Sequence, residues 1–154
     1  WNEERNGTRI GNKVFLQYGD KFDWPTLENN NINETENIEN MGFISGDKLE
    51  GLIRGAAMSV YPSEWYENCP FSIMESIQYG TPVLGADIGG IPELIDAGVT
   101  GELFESGNEE QLIQKIESIW NNKELLKKYS INCLDKKFTT LKEYGNVLKQ
   151  YLEF

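Results

Sequence analysis

Histidine is missing from all 154 residues. That absence removes Ser-His-Asp hydrolysis, histidine zinc sites and histidine general bases. Cysteine is scarce: Cys69 and Cys133 are the only two, with neither metal-ligand spacing nor a disulfide framework. Free thiols are expected. No apolar run reaches the roughly 20 residues that cross a bilayer, so no transmembrane segment is expected. No basic-then-apolar leader opens the chain, and a cytoplasmic location follows as the expectation. Cations are few, 14 Lys and Arg against 25 Asp and Glu, for a net charge of −11. A nucleic-acid surface needs clustered Lys and Arg, so nucleic acid is excluded as a partner. The same acidity repels a diphosphate. Any phosphate site must draw on a helix N-terminus or on a few basic residues.

What the chain does contain is enough for one packed domain spanning 1–154. Hydrophobic residues make up 39% and aromatics 12%, and a chain of this size buries about 68–70% of its unfolded surface. Residues 1–12 are polar and carry no clear pattern. A strand is expected over 14–18. A polar, Asn-rich connection follows over 21–37, with a short helix near 24–27. From Ile38 the rhythm is regular. Strands are expected over 38–44, 58–61, 82–85 and 102–104, and helices over 47–56, 71–79 and 91–96. One helix after 109 carries Leu112, Ile113, Ile116, Ile119 and Trp120 on one face, and two more occupy 123–133 and 140–152. Ser106-Gly107-Asn108-Glu109 has capping-box form. Short apolar strands alternating with helices predict an α/β fold, a Rossmann-like parallel sheet with helices on both faces. Ligands of such sheets sit at the carboxyl ends of the strands. The loops 62–68 and 85–90 fall there, so they are expected to share one edge.

The most informative stretch is Ser63 to Gly80. Glu67 and Glu75 lie eight positions apart. Glu67 falls in a loop, and Glu75 about a turn and a half into a helix opened by Pro70 and closed by Gly80. Between them Phe71, Ser72 and Ile73 supply first-turn amides that favour an anion. A buried carboxylate at Glu75 needs a hydrogen-bond partner, and a ribose diol is one, because each carboxylate oxygen accepts a hydroxyl. Glu67 can accept hydroxyls of a sugar ring and place negative charge near an oxocarbenium-like centre. The spacing therefore suits a sugar–diphosphate–ribose. Two solvated glutamates are the plain alternative. Trp65 and Tyr66 either line the sugar or pack at the rim. Gly89-Gly90 reads first as a tight turn.

The stretch Met41 to Phe104 resembles the C-terminal nucleotide-sugar domain of family-4 (group 1) retaining glycosyltransferases of GT-B architecture. The resemblance rests on Tyr61-Pro62-Ser63, Glu67 and Glu75 as a Glu-x7-Glu motif, Cys69-Pro70-Phe71 and Tyr79-Gly80-Thr81-Pro82-Val83. It continues through Gly89-Gly90-Ile91-Pro92-Glu93-Leu94-Ile95 and Gly98-Val99-Thr100-Gly101-Glu102-Leu103-Phe104. It implies that Glu67 is catalytic and contacts the donor sugar near the reacting carbon. It implies that Glu75 holds the ribose hydroxyls, and that amides around Phe71, Ser72 and Ile73 face the diphosphate or sugar. Met41 and Gly42 would border the base. The donor is a UDP- or GDP-sugar used as substrate. No cofactor or metal is implied, and no Asp-x-Asp triplet occurs. The acceptor is a glycan or lipid-linked glycan.

The chain also departs from the family pattern. The opening strand with its Gly-Arg…Lys loop finds no match in Trp1 to Asn12, and Arg5, Arg9 and Lys13 lack the spacing. The first βα unit and the N-terminal acceptor domain are expected to be missing, the acceptor domain being the route to a peripheral place at the inner membrane face. The isolated chain is then expected to turn over little or nothing. A non-catalytic nucleotide-sugar-binding module is the second reading. A sugar-nucleotide epimerase is the third, disfavoured by the Pro-Phe-Ser-Ile-Met-Glu context.

Overall fold

The computed structural model describes residues 14–16 and 44–152. Residues 1–12, the connection 21–37 with its short helix, most of the strand 38–44, and Met41 and Gly42 lie outside the described residues. The described elements run β1 (Val14–Leu16), α1 (Gly46–Gly55), β2 (Met58–Tyr61), α2 (Phe71–Gln78), β3 (Val83–Asp87) and α3 (Ile91–Leu94). They continue with β4 (Gly101–Glu105), α4 (Glu109–Trp120), α5 (Lys123–Asp135) and α6 (Leu141–Leu152). The strands form one parallel sheet in the order β1-β2-β3-β4.

Strand alternation sorts the core onto two faces. The register pairs Val60 with Leu84 and Tyr61 with Gly85, so neighbours in the chain point to opposite sides. Met58, Val60, Leu84, Ala86 and Phe104 pack with Ile119 and Leu126, and with Leu112, Ile116 and Trp120 of α4. Tyr61 and Val83 face the other way, against Ile73 and Ile77 of α2, Ile91, Ile95 and Cys133. Helices therefore cover both faces, as the alternating pattern predicts. Each fully buried Ile or Leu contributes about 1.5–3 kcal/mol.

The α4 stripe holds except at Ile113, which is 56% exposed. It lies one residue beyond Leu112, and a 100° step carries it off the buried arc. The expected capping box at Ser106 is not formed. Asn108 caps α4 instead, its side chain accepting from the Gln111 amide at 3.0 Å. A reciprocal box does occur ahead of α6. There the Glu143 carboxylate accepts from the Thr140 amide at 2.7 Å, and the Thr140 hydroxyl accepts from the Glu143 amide at 3.2 Å.

The helix α2 is fixed from three sides. The buried Ser76 hydroxyl donates to the Ser59 hydroxyl at 3.0 Å, pinning the helix to β2. Its end is closed by Gly80, whose φ of +75° suits the left-handed turn that no branched residue takes cheaply. The Gly80 carbonyl then accepts the Ser130 hydroxyl of α5 at 2.7 Å. Beyond it, the buried Thr81 hydroxyl donates to the Ile53 carbonyl at 2.7 Å, tying in α1.

Candidate donor-binding site

The candidate site gathers at the carboxyl edge of the sheet, where β2 leads through residues 62–70 into α2 and β3 leads into α3. Pro70 is the N-cap residue rather than the first helical one, with φ −68° and ψ 107°. A proline there brings no side-chain acceptor, and among the described residues no side-chain bond caps this helix. Among the described residues, the tip of α2 is left uncapped. Each helical residue rises about 1.5 Å, so Glu75 stands roughly 6 Å along the axis from Phe71.

Of the three first-turn residues, Phe71 and Ser72 keep amides with no upstream carbonyl in the helix. The Ile73 amide is different: it donates to the Pro70 carbonyl at 3.1 Å. Its side chain is buried against the sheet. The first turn closes on itself at Ile73. The burial expected of Glu75 is corrected. Its carboxylate is exposed, not buried, so desolvation supplies no demand for a partner. An exposed carboxylate on a helix flank is instead open to solvent and to any ligand laid along that flank.

Tyr61 locates Glu67 relative to the helix tip. Burial raises the Tyr61 phenol above its ordinary range, a hydrogen bond with the Ser72 side chain works against that rise, and the negative charge of Glu67 adds to it. The Glu67 charge and the Ser72 side chain therefore both bear on one phenol. Glu75 lies in the second turn of α2. Tyr79 is raised by desolvation first, then by the charges of Glu50 and Glu75, with Arg54 opposing. Arg54 lies 4.3 Å from the Tyr79 ring centre, and its Nε donates to Glu50 at 2.7 Å. An open hollow of about 230 Å³ on α1, lined by Asp47, Glu50, Gly51 and Arg54, holds more negative than positive charge and suits no phosphate.

The two loops expected to share an edge do so in direct contact. The Gly90 amide donates to the Glu67 carbonyl at 2.7 Å. A Cβ added to Gly90 would lie 1.9 Å from the Asn68 carbonyl oxygen, and one on Gly89 2.5 Å from that of Glu67. Gly89 has φ +58°. The pair thus works as a turn whose bare backbone backs the Glu67 loop. Trp65 and Tyr66 are 63% and 87% exposed, and Phe71 is 72% exposed. Cys69 is exposed and Cys133 buried, and neither forms a disulfide. One contact had no signal in the sequence. The Ser106 hydroxyl, expected to cap α4, donates to the Ser63 carbonyl at 3.0 Å.

A family model described as glycosyl transferases group 1 matches residues 11–134. The chain belongs to that family. This group 1 domain is 31% identical over 142 residues to an uncharacterized glycosyltransferase of Methanocaldococcus jannaschii, covering 90% of this chain and 40% of that protein. It is 33% identical over 86 residues to a sulfoquinovosyl transferase of Arabidopsis thaliana, covering 54% and 17%. Among solved structures it is similar to sucrose-phosphate synthase from Thermosynechococcus elongatus, with TM-score 0.71 and 20% identity over 90% of this chain and 38% of that one. It is also similar to Anabaena HepE in complex with UDP and glucose, with TM-score 0.67 and 20% identity over 77% and 33%. At these identities the structural likeness is one of fold. The chain spans less than half the length of the curated relatives it matches. Among the described residues, no helix is long and apolar enough to cross a membrane.

Proposed function

We propose that this group 1 glycosyltransferase domain binds the donor of a retaining transfer from a nucleotide-diphosphate sugar to a glycan or lipid-linked acceptor. The observation that supports the reading is the start of α2, where Pro70 makes no side-chain cap, with the loop of Glu67 leading into it and Glu75 further along the same helix. Helix dipoles place roughly half a positive charge at such a tip, which offsets the acidity of the chain where the diphosphate lies. Amides of Phe71 and Ser72 receive the phosphate oxygens. Glu75 accepts the ribose hydroxyls. Glu67, held next to the tip, accepts hydroxyls of the transferred sugar and stabilises positive charge as its bond to phosphate breaks. The leaving phosphate takes the acceptor's proton, so the reaction proceeds without histidine and without a bound metal. Met41 and Gly42 border the base. HepE, whose fold this chain shares, was solved with UDP and glucose, which favours UDP as the first nucleotide to test. Acceptor binding falls to a further domain, which also brings the enzyme to its place in the cell.

Titration with UDP, GDP, ADP and their sugars, read by amide chemical shifts, tests the proposal. The expected result is a base-selective response at Phe71, Ser72 and Glu75, with Glu67 responding further only when the sugar is present. A response centred on the α1 hollow, or none at α2, refutes it. Binding without transfer when an acceptor-binding partner is supplied identifies a module rather than an enzyme. The anomeric form of the product decides retention, and full activity in a chelator decides metal independence.

A further inference from the structure

The stretch Ser63–Glu67 is held at both ends from other turns. At one end the Ser106 hydroxyl, from the turn between β4 and α4, donates to the Ser63 carbonyl at 3.0 Å. At the other the Gly90 amide, from the turn between β3 and α3, donates to the Glu67 carbonyl at 2.7 Å. Between the clamps the stretch is closed by its own bonds. The Glu67 amide donates to the Trp65 carbonyl at 2.9 Å, and the Trp65 amide to the Ser63 hydroxyl at 3.2 Å. The Ser106 bond joins residues 43 positions apart. Its own helix does not require it, because Asn108 caps α4. Both clamps grip main-chain carbonyls and leave the Glu67 carboxylate untouched. Their effect is to fix the path of the chain from which that carboxylate projects.

We infer that Ser106 and Gly90 are positioning residues for Glu67, setting from two neighbouring turns the loop that reads the sugar end of the donor. The inference rests on the donor-binding reading for what Glu67 touches, and on geometry alone for the clamps. A productive site holds its groups within about 0.5 Å, and a loop between two strand-end turns reaches that only if its carbonyls are held.

The test compares wild type with Ser106→Ala and Ser106→Thr in this chain. Three quantities are read: amide exchange at Glu67 and Gly90, affinity for UDP, and affinity for UDP-glucose. Ser106→Ala is expected to speed exchange at both amides by roughly two- to tenfold, the factor belonging to one net hydrogen bond. It should leave UDP affinity unchanged and shrink the advantage of UDP-glucose over UDP by a similar factor. Ser106→Thr, which keeps the hydroxyl, should restore both. The inference is overturned by wild-type exchange in Ser106→Ala, by equal loss of UDP and UDP-glucose affinity, or by failure of threonine to restore the ratio. If wild type holds UDP-glucose no more tightly than UDP, the sugar-reading role of Glu67 falls. Exchange at Glu67 and Gly90 then decides by itself whether the Ser106 hydroxyl sets the loop.

Discussion

Replacing Gly90 by alanine should move the Glu67 loop by a distance that can be worked out in advance. The new Cβ would stand 1.9 Å from the Asn68 carbonyl oxygen and 2.9 Å from its carbonyl carbon, where ordinary contact begins at 3.4 Å. Both atoms are main chain, so no rotamer change relieves the clash. Relief requires the two backbones to separate by roughly 1.5 Å, which also breaks or stretches the 2.7 Å bond from the Gly90 amide to the Glu67 carbonyl. Overpacking of this kind costs about 1–3 kcal/mol of stability, a loss that a denaturant titration resolves. The functional cost is larger if Glu67 acts at the reacting carbon, because a displacement of about 1 Å costs on the order of a hundredfold in rate. The assay is transfer by the complete enzyme at saturating donor, with the affinity of bare nucleotide measured beside it. Nucleotide affinity should hold while transfer falls about a hundredfold. Transfer at the wild-type rate, or unshifted amide signals over 66–68, would refute the argument that the turn and the loop are packed backbone to backbone.

Other outcomes are expected elsewhere. Glu75→Ala should weaken nucleotide binding by about 1.5–3 kcal/mol, the range for hydrogen bonds to a charged group, whereas Glu67→Ala should spare bare nucleotide and reduce transfer; equal losses of nucleotide affinity would contradict both roles. Tyr129→Phe should cost about 2 kcal/mol at neutral pH, since the buried phenol donates to Glu102 at 2.5 Å while Lys115 binds the other carboxylate oxygen at 2.9 Å. Burial pushes the Glu102 carboxyl up, but the Tyr129 and Lys115 hydrogen bonds and the Lys115 charge outweigh it and leave it below its ordinary value. That ionised carboxylate therefore adds stability which is complete above the unfolded value of about 4.3 and is lost as pH falls through the lower folded one. Melting curves should show the gap between wild type and Tyr129→Phe narrowing over that acid window, and a gap constant with pH would argue against a charged acceptor. Ile77→Ala, beneath α2 and fully buried, should cost about 2–5 kcal/mol by leaving a cavity; a loss below 1 kcal/mol in urea unfolding would show that this face repacks.

The sequence was most legible where one residue type answers one local requirement. Gly80 ends α2 because a left-handed turn favours glycine, and the apolar steps of α4 follow helical period. The alternation of apolar runs and amphipathic segments was enough for a parallel sheet covered on both faces. Legibility failed where partners are distant in the chain. Ser106 has the spacing of a helix cap to Glu109, and only the approach of Ser63 redirects its hydroxyl, leaving the cap to Asn108. Ile73 shows a second limit. Its place in the first turn suggested an available amide, but the tightness of that turn, which carries the amide back to the Pro70 carbonyl, is a matter of backbone angles rather than residue type. The exposure of Glu75 follows from which flank α2 presents after packing Ile73 and Ile77 inward, and the Glu-x7-Glu spacing is silent on that.

The bonds described for the Glu67 loop run through peptide groups and the hydroxyls of Ser63 and Ser106. Glu64, Tyr66 and Asn68, all exposed around it, are consequently open to replacement without rebuilding the loop. A combinatorial library confined to those three positions would vary the surface around Glu67 while leaving the contour intact.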